Sequence, residues 1–185
     1  MNDRNFAVPP PGKPAMAFAW ILGAGFPLGI AVLLVTMARD GAIPPLLVLA
    51  GQALVAATVL LVLLPLWRRR VAFDGRRLRV ESTYYTREAP IAEFDLDGAR
   101  VVDLRERTEL RPLLKSNGYA LPGFRSGWFR TRQRTKLLAA TAGGDRVLWV
   151  PTTQGYDLLL QPRSLQATLE RMRELAAMAR AGAGR

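Results

Sequence analysis

Basic side chains at alternate positions are the feature of this sequence whose chemistry is easiest to specify. Cations recur at every second residue in one segment, which contains Arg130, Arg132, Arg134 and Lys136. Arg125 lies five residues before the first of them. Alternate side chains of an extended segment share one face, so the spacing predicts one cationic face on a β-hairpin. Such a face would bind anionic lipid headgroups or an acidic protein partner, and the alternative is a merely solvated hairpin tip.

The sequence contains few side chains that could catalyse a reaction. None of its 185 residues is Cys or His, which excludes disulfides, thiolate catalysis, histidine general bases and ordinary Cys/His zinc sites. The serines and lysines that remain have no evident base partner in the sequence. The alternating carboxylates Glu93, Asp95 and Asp97 lack the further oxygen ligands and glycine turn of a calcium loop. We therefore expect a protein that is not an enzyme, with no cofactor, no metal and no small-molecule substrate.

Two long apolar segments precede the cationic segment, and we expect them to anchor the protein in a membrane. No charged side chain occurs from Ala15 to Ala38, and Gln52 is the only strongly polar one from Ile43 to Trp67. At about 1.5 Å per residue, each segment makes a helix of roughly 36 Å, enough to cross a hydrocarbon core of about 30 Å. Neither segment has the polar stripe of a soluble core helix. The first is also longer than the apolar region of a signal peptide. We predict transmembrane helices over 15–38 and 43–67.

The orientation of this helix pair follows from Lys and Arg. The connection over 39–42 is so short that the helices form an antiparallel hairpin, and it holds one cation, Arg39. Residues 1–14 hold two cations, and the twenty residues after Trp67 hold seven. Because cytoplasmic segments are enriched in Lys and Arg, we predict a two-pass protein with both termini in the cytoplasm. Residues 1–14 are then an N-terminal tail, 68–180 a cytoplasmic domain and 181–185 a flexible tail.

Short segments between turn residues follow the second apolar segment, a pattern typical of antiparallel strands. Asp74-Gly75 predicts a hairpin between strands at 71–73 and 78–82. Further strands are predicted at 100–104, 127–131, 136–141, 146–150 and 156–160. Reversals at 132–135, 143–145 and 153–155 would join the last four strands as a meander. An amphipathic helix is expected after Ser164, with an apolar face that contains Leu165, Leu169, Met172 and Leu175 or Ala176.

The domain resembles the bacterial pleckstrin-homology-like (bacterial PH) family over at most residues 71–178, and the distinctive half of this resemblance is residues 117–162. The residues that carry this resemblance are Asn117-Gly118, Leu121-Pro122-Gly123-Phe124, Gly127-Trp128-Phe129, 147–152, Gly155-Tyr156 and 158–162. The resemblance implies an α+β fold, in which a partly open antiparallel β-barrel of about seven strands is capped by the C-terminal helix. It also implies an adaptor or binding module in the inner membrane of a bacterium. The family motifs contain no catalytic signature.

The numbers of basic and acidic residues indicate which class of partner the protein binds. The chain has 26 Lys and Arg against 15 Asp and Glu, a net charge of +11. Acidic residues are interleaved with the basic ones and no nucleic-acid motif is present, so we expect no nucleic-acid partner. We predict a membrane-anchored, non-catalytic module whose partners are the lipid bilayer and either anionic headgroups or a membrane-associated protein. The alternative is an accessory structural subunit of a larger membrane assembly.

Overall fold

The computed structural model describes residues 5–6, 8–41 and 43–183. Over this range the chain is an α+β protein, with two apolar helices followed by two β-sheets and a C-terminal helix. The parts of the predicted tails at residues 1–4, 7, 184 and 185, and residue 42 of the predicted connection, lie outside the described residues.

The two apolar helices are each long and apolar enough to cross a membrane. The first runs over Lys13–Arg39 with a mean hydropathy of 2.2, and the second over Pro45–Trp67 with a mean hydropathy of 2.6. The first helix consists of α1 (Lys13–Trp20), a wide π turn (Ile21–Gly25) and α2 (Phe26–Arg39). The π turn comes just before Pro27, which has no N–H group for the preceding turn. The second helix is α3 (Pro45–Leu63) with a final 3-10 turn (Leu64–Trp67).

The helices pack side by side as an antiparallel hairpin. Gly23 faces Val62 so closely that a Cβ atom at Gly23 would lie 3.1 Å from Val62 Cγ1. Ala19 and Leu66 share one buried cluster at the end of the hairpin nearest the domain. Trp20 and Trp67 are both exposed at this end. The predicted hairpin arrangement of the two helices is confirmed.

The first sheet has four strands, in the order β1-β2-β3-β4. These are β1 (Asn5–Phe6), β2 (Arg69–Phe73), β3 (Arg77–Ser82) and β4 (Tyr85–Pro90). The predicted Asp74-Gly75 hairpin is confirmed, and Asp74 Oδ1 accepts hydrogen bonds from the N–H groups of Arg76 and Arg77 at 2.8 and 2.7 Å. Strand β1 pairs with β2, with Asn5 opposite Ala72. The N-terminal segment, predicted as a separate tail, therefore contributes a strand to the domain.

The second sheet has six strands, in the order β5-β9-β10-β8-β7-β6. These are β5 (Arg100–Asp103), β6 (Leu114–Leu121), β7 (Phe124–Arg130), β8 (Lys136–Thr141), β9 (Arg146–Val150) and β10 (Tyr156–Leu160). The predicted meander is wrong at 143–145, because β10 lies between β8 and β9 and runs parallel to β8. Leu158, Leu159 and Leu160 are all fully buried, and an apolar run of this kind favours a central strand covered on both faces.

Two strands that the sequence did not predict, β4 and β6, meet at a pair of glycines. Asn117-Gly118 lies in the middle of β6, where Gly118 pairs with Gly127 of β7. Gly127 has a φ of +107°, and a Cβ atom there would lie 2.8 Å from the Tyr85 ring at Cε2. Gly127 thus leaves room for the ring of Tyr85, whose hydroxyl donates to Asn117 Oδ1 at 2.5 Å, and Gly118 leaves room for the backbone of β7 at Ser126. With β1, the described residues form ten strands where about seven were predicted.

The main core lies between the two sheets and is closed by the C-terminal helix α4 (Leu165–Ala183). The predicted apolar face of this helix is confirmed, since Leu169, Met172, Leu175 and Ala176 are all buried. A smaller core, which contains Phe129 and Leu159, covers part of the six-stranded sheet's other face. The helix continues through residues 181–183, which belong to the tail predicted from 181.

Candidate functional site

The predicted cationic segment forms the turn between β7 and β8, which we call the basic turn (residues 130–136). Arg130 ends β7 and pairs directly with Lys136, the first residue of β8. The turn is closed by a hydrogen bond of 3.0 Å from Thr131 N–H to Thr135 O. Arg134 has a φ of +65° and its N–H donates to Thr131 O at 3.0 Å. The reversal predicted at 132–135 is confirmed.

The structure corrects two parts of the site prediction. Arg132 and Arg134 lie in the turn, so the segment is not extended and its cations do not share one face through a period of two. The tight turn nevertheless keeps the four cations at one end of the hairpin. Arg125 is not near them, because it pairs with Thr141 at the other end of β7. Five residue steps along a strand separate Arg125 from Arg130 by about 17 Å.

The charges of the basic turn are not neutralised within the described part of the chain. No carboxylate there lies within 4 Å of a charged nitrogen of any of its four cations, and all four are exposed. Several arginines elsewhere are paired, as in Arg77 with Glu88 at 2.9 Å and Arg105 with Asp145 at 2.6 Å. Lys136 Nζ lies 4.3 Å from the centre of the Trp128 ring, a cation–π contact. The basic turn therefore presents concentrated positive charge to solvent.

The opposite end of the same sheet contacts the helix hairpin. Phe124, at the start of β7, is buried in one cluster with Ala15, Ala19 and Leu66 of the helices. Leu121 and Ala142 pack against this cluster from the ends of β6 and β8. The domain is thus docked on the helices through one end of its sheet. The basic turn caps the other end, about 20 Å away along β7.

Two tyrosines add polar contacts to this docked end. The hydroxyl groups of Tyr84 and Tyr119 both donate to the backbone oxygen of Leu61, and the Tyr119 bond is 3.3 Å long. Their ring centres are 5.8 Å apart. Burial, with a smaller contribution from Tyr84, raises the pKa of Tyr119 above its ordinary value. The Tyr119 hydroxyl therefore stays protonated and can donate over the physiological pH range.

Three buried hydroxyl groups join the two sheets just below this contact. Ser126 Oγ of β7 lies 2.6 Å from Ser82 Oγ and 2.8 Å from Thr83 Oγ1, and all three residues are buried. Thr83 has a φ of +53°, a strained conformation for a β-branched residue. Its N–H donates to Arg68 O at 2.8 Å, which holds the β3–β4 turn in place.

Arg69, the first residue of β2, has a buried side-chain nitrogen that no described residue satisfies. It pairs with Ser82 across β2 and β3, on the face that also carries Val71 and Phe73. Its Nε is buried, and no described residue accepts a hydrogen bond from it. Burial lowers the pKa of Arg69 below its ordinary value. The period of two from Arg69 through Val71 to Phe73 is the sequence signal that could have placed this arginine on the core face.

No known protein family, curated protein or solved structure matches this chain. The resemblance to the bacterial PH family therefore rests on the motifs of the chain alone. Over 5–6, 8–41 and 43–183, no group of three or more acidic side chains is placed to hold a metal ion. What the geometry offers is a cationic surface at one end of the domain and a docking contact with the helices at the other.

Proposed function

We propose that this protein is a two-pass protein of the bacterial cytoplasmic membrane with a non-catalytic, PH-like binding module at the cytoplasmic face. The helix hairpin anchors the module, and the basic turn binds an acidic surface of a membrane-associated protein.

One observation supports this topology above all others. Strand β1 precedes the helix hairpin and β2 follows it, yet the two strands pair, with Phe6 opposite Val71. Val8 is also buried in the main core of the domain. The chain must therefore enter and leave the hairpin on the same side of a membrane. Because Lys and Arg are concentrated in these flanking segments, that side is the cytoplasm.

The PH-like part of the proposal is supported by the arrangement of the core. Two mainly antiparallel sheets enclose one apolar interior, and the C-terminal helix closes it with Met172 and Leu175. Outside the named strands, Phe94 and Thr152 form an antiparallel β-bridge, which joins the chain after β4 of the first sheet to the chain after β9 of the second. A partly open barrel closed by a helix would have such a core, and its loops and turns would carry the binding residues.

The position of the basic turn favours a protein over the lipid of the same membrane. Electrostatic attraction between exposed charges falls off over about 8 Å at physiological ionic strength. The basic turn lies about 20 Å along β7 from the contact with the helices. Its unpaired cations are therefore placed to attract an acidic partner that approaches from the cytoplasm.

The topology predicts opposite labelling of two single-cysteine variants, and the absence of native Cys makes such labelling specific. Asp40→Cys lies at the far end of the hairpin, and Gln133→Cys lies in the basic turn. In intact cells, a membrane-impermeant maleimide should label Asp40→Cys and leave Gln133→Cys unlabelled until the cells are lysed. The reverse pattern, or equal labelling of both in intact cells, would contradict the proposed membrane topology.

The binding proposal predicts that reversing two charges in the basic turn weakens acidic ligands selectively. The full-length chain in nanodiscs of neutral lipid is titrated with a fluorescent glutamate-rich peptide over a series of salt concentrations. Arg132→Glu combined with Arg134→Glu should weaken binding at least about tenfold, since basic groups near an acidic surface contribute on the order of 1 kcal/mol each.

A matched control separates the basic turn from net charge. Arg146→Glu combined with Arg163→Glu makes the same change of charge at two other exposed positions. This control should bind the peptide like the wild type. Equal loss in both double variants would reject the basic turn as the binding surface. Binding to vesicles that contain anionic lipid, without binding to the peptide, would reject the acidic protein as its partner.

A further inference from the structure

Arg69 has the donor groups of a binding site and no acceptor within the described protein. A guanidinium group has five N–H donors in a planar fork, and buried donors of this kind are almost always paired. Here the side chain is partly buried and Nε is shielded without a hydrogen bond. Its neighbour Arg68, in contrast, donates from Nη2 to Thr86 Oγ1 at 3.2 Å. Removing a charged group from water without a partner is unfavourable, so an acceptor from outside the chain would stabilise this arrangement.

The surroundings of Arg69 indicate what that acceptor is. No carboxylate among the described residues lies within 4 Å of a charged nitrogen of Arg69. Ser82 faces it across the strand pair, but the Ser82 hydroxyl is already bound to Ser126. An anion with several oxygen atoms would satisfy the fork, and phosphate is the common biological anion that binds arginine through two parallel hydrogen bonds.

The position of Arg69 in the chain would bring it close to the phosphate groups of phospholipids. Arg69 follows the exposed Trp67 by two residues, at the end of the second apolar helix. Indole rings at helix ends lie at the level of lipid headgroups, which is where phospholipids carry their phosphate. Arg70 is equally near the helix end but lies on the other face of β2, where it is exposed to solvent. Arg69 lies on the face of β2 that also carries Val71 and Phe73, which are buried in the main core.

We infer that Arg69 binds a phosphate group at the junction of helix and domain, where the phosphate of a phospholipid headgroup lies within reach. This inference rests on the proposed membrane anchorage and is independent of the basic turn. The phosphate accepts hydrogen bonds from the guanidinium group of Arg69. The bound headgroup would fix the domain to one leaflet of the bilayer.

The test compares Arg69→Gln with Arg70→Gln in the full-length chain, purified in detergent without lipid. Phosphatidylglycerol and diacylglycerol are added separately, because the two lipids have the same tails and only the first has a phosphate. The readouts are the thermal midpoint and the lipid retained in native mass spectrometry. Wild type and Arg70→Gln should be stabilised by phosphatidylglycerol and retain it. Arg69→Gln should retain at least about tenfold less, which is the loss of one charge-assisted contact.

Misfolding of the variant can be told apart from loss of the site. In detergent without lipid or phosphate, Arg69→Gln should be at least as stable as the wild type, because the unpaired charge is gone. Inorganic phosphate is added in a further arm. If it stabilises the wild type as phosphatidylglycerol does, and Arg69→Gln abolishes both effects, the site binds free phosphate.

The proposal is overturned if Arg69→Gln and Arg70→Gln lose lipid equally, or if diacylglycerol is retained as well as phosphatidylglycerol. It is also overturned if Arg69→Gln is markedly less stable than the wild type in detergent alone. Failure of the membrane anchorage would appear separately, in the labelling of Asp40→Cys and Gln133→Cys, since the phosphate arm is measured without a bilayer.

Discussion

Replacing Phe124 by Ala is expected to release the domain from the helix hairpin. Phe124 is 1% exposed and is the large domain side chain in the buried cluster with Ala15, Ala19 and Leu66. Truncating a buried Phe in this way lowers stability by about 3–5 kcal/mol. The Tyr84 and Tyr119 hydrogen bonds to Leu61 and the smaller contacts of Leu121 and Ala142 would remain, and each bond contributes only about 0.5–1.5 kcal/mol.

Spin labels can measure this release directly. A label at Asp40→Cys reports on the far end of the hairpin, and one at Gln133→Cys reports on the basic turn. The docked protein should give one narrow distribution of distances between the labels, which Phe124→Ala should broaden. Phe94→Ala is the matched control, because Phe94 lies in the core between the sheets. It should lower the unfolding temperature and leave the distance distribution of the folded protein narrow. A narrow distribution in Phe124→Ala would show that the cluster does not hold the domain.

The elements that the sequence predicted well are those whose signal is local. The strands β8, β9 and β10 have the predicted bounds, because each is an apolar run between clear turn residues. The apolar face of α4 follows from helical spacing alone. Strand β6 was missed because Asn117-Gly118 has the composition of a turn, although Gly118 lies within the strand and lets the backbone of β7 approach closely at Ser126 and Gly127. Strand order was missed at β10, since no local residue shows which neighbour a strand will choose.

The candidate site was likewise predicted well only where the sequence signal is local. A charge count found the cations of the basic turn, and the turn residues between them predicted the reversal. The period-two argument failed there, because a turn of five residues interrupts the extended segment between Arg130 and Lys136. The contact between Phe124 and the helices joins residues 58 to 109 positions apart in sequence, so no local pattern could show it. Strand β1 was missed for a similar reason, since its partner β2 lies beyond both apolar helices.

Replacing Ser126 by Ala is expected to destabilise the domain well beyond the loss of one small side chain. Ser126 is fully buried and its hydroxyl bridges those of Ser82 and Thr83. The variant leaves both partners buried, and each hydroxyl that loses its partner lowers the free energy of unfolding by about 1–3 kcal/mol. Urea unfolding of the full-length chain in detergent measures this, with Trp20 and Trp67 replaced by Phe so that only Trp128 and Trp149 report.

The double variant separates the hydrogen bonds from simple packing. Ser82→Ala combined with Ser126→Ala removes both partners of one bond, so its destabilisation should be smaller than the sum of the two single effects. Ser116→Ala, on the exposed part of β6, should change stability by less than about 0.5 kcal/mol. Strict additivity would mean that the hydroxyls do not interact. Since Ser82 and Ser126 belong to different sheets, their coupling would show that this polar contact fixes one sheet against the other. An apolar contact would allow the two sheets to shift relative to each other, whereas paired hydroxyls allow only one register. Because Arg69 pairs with Ser82 across the strands, that register also holds Arg69 at the junction with the helices.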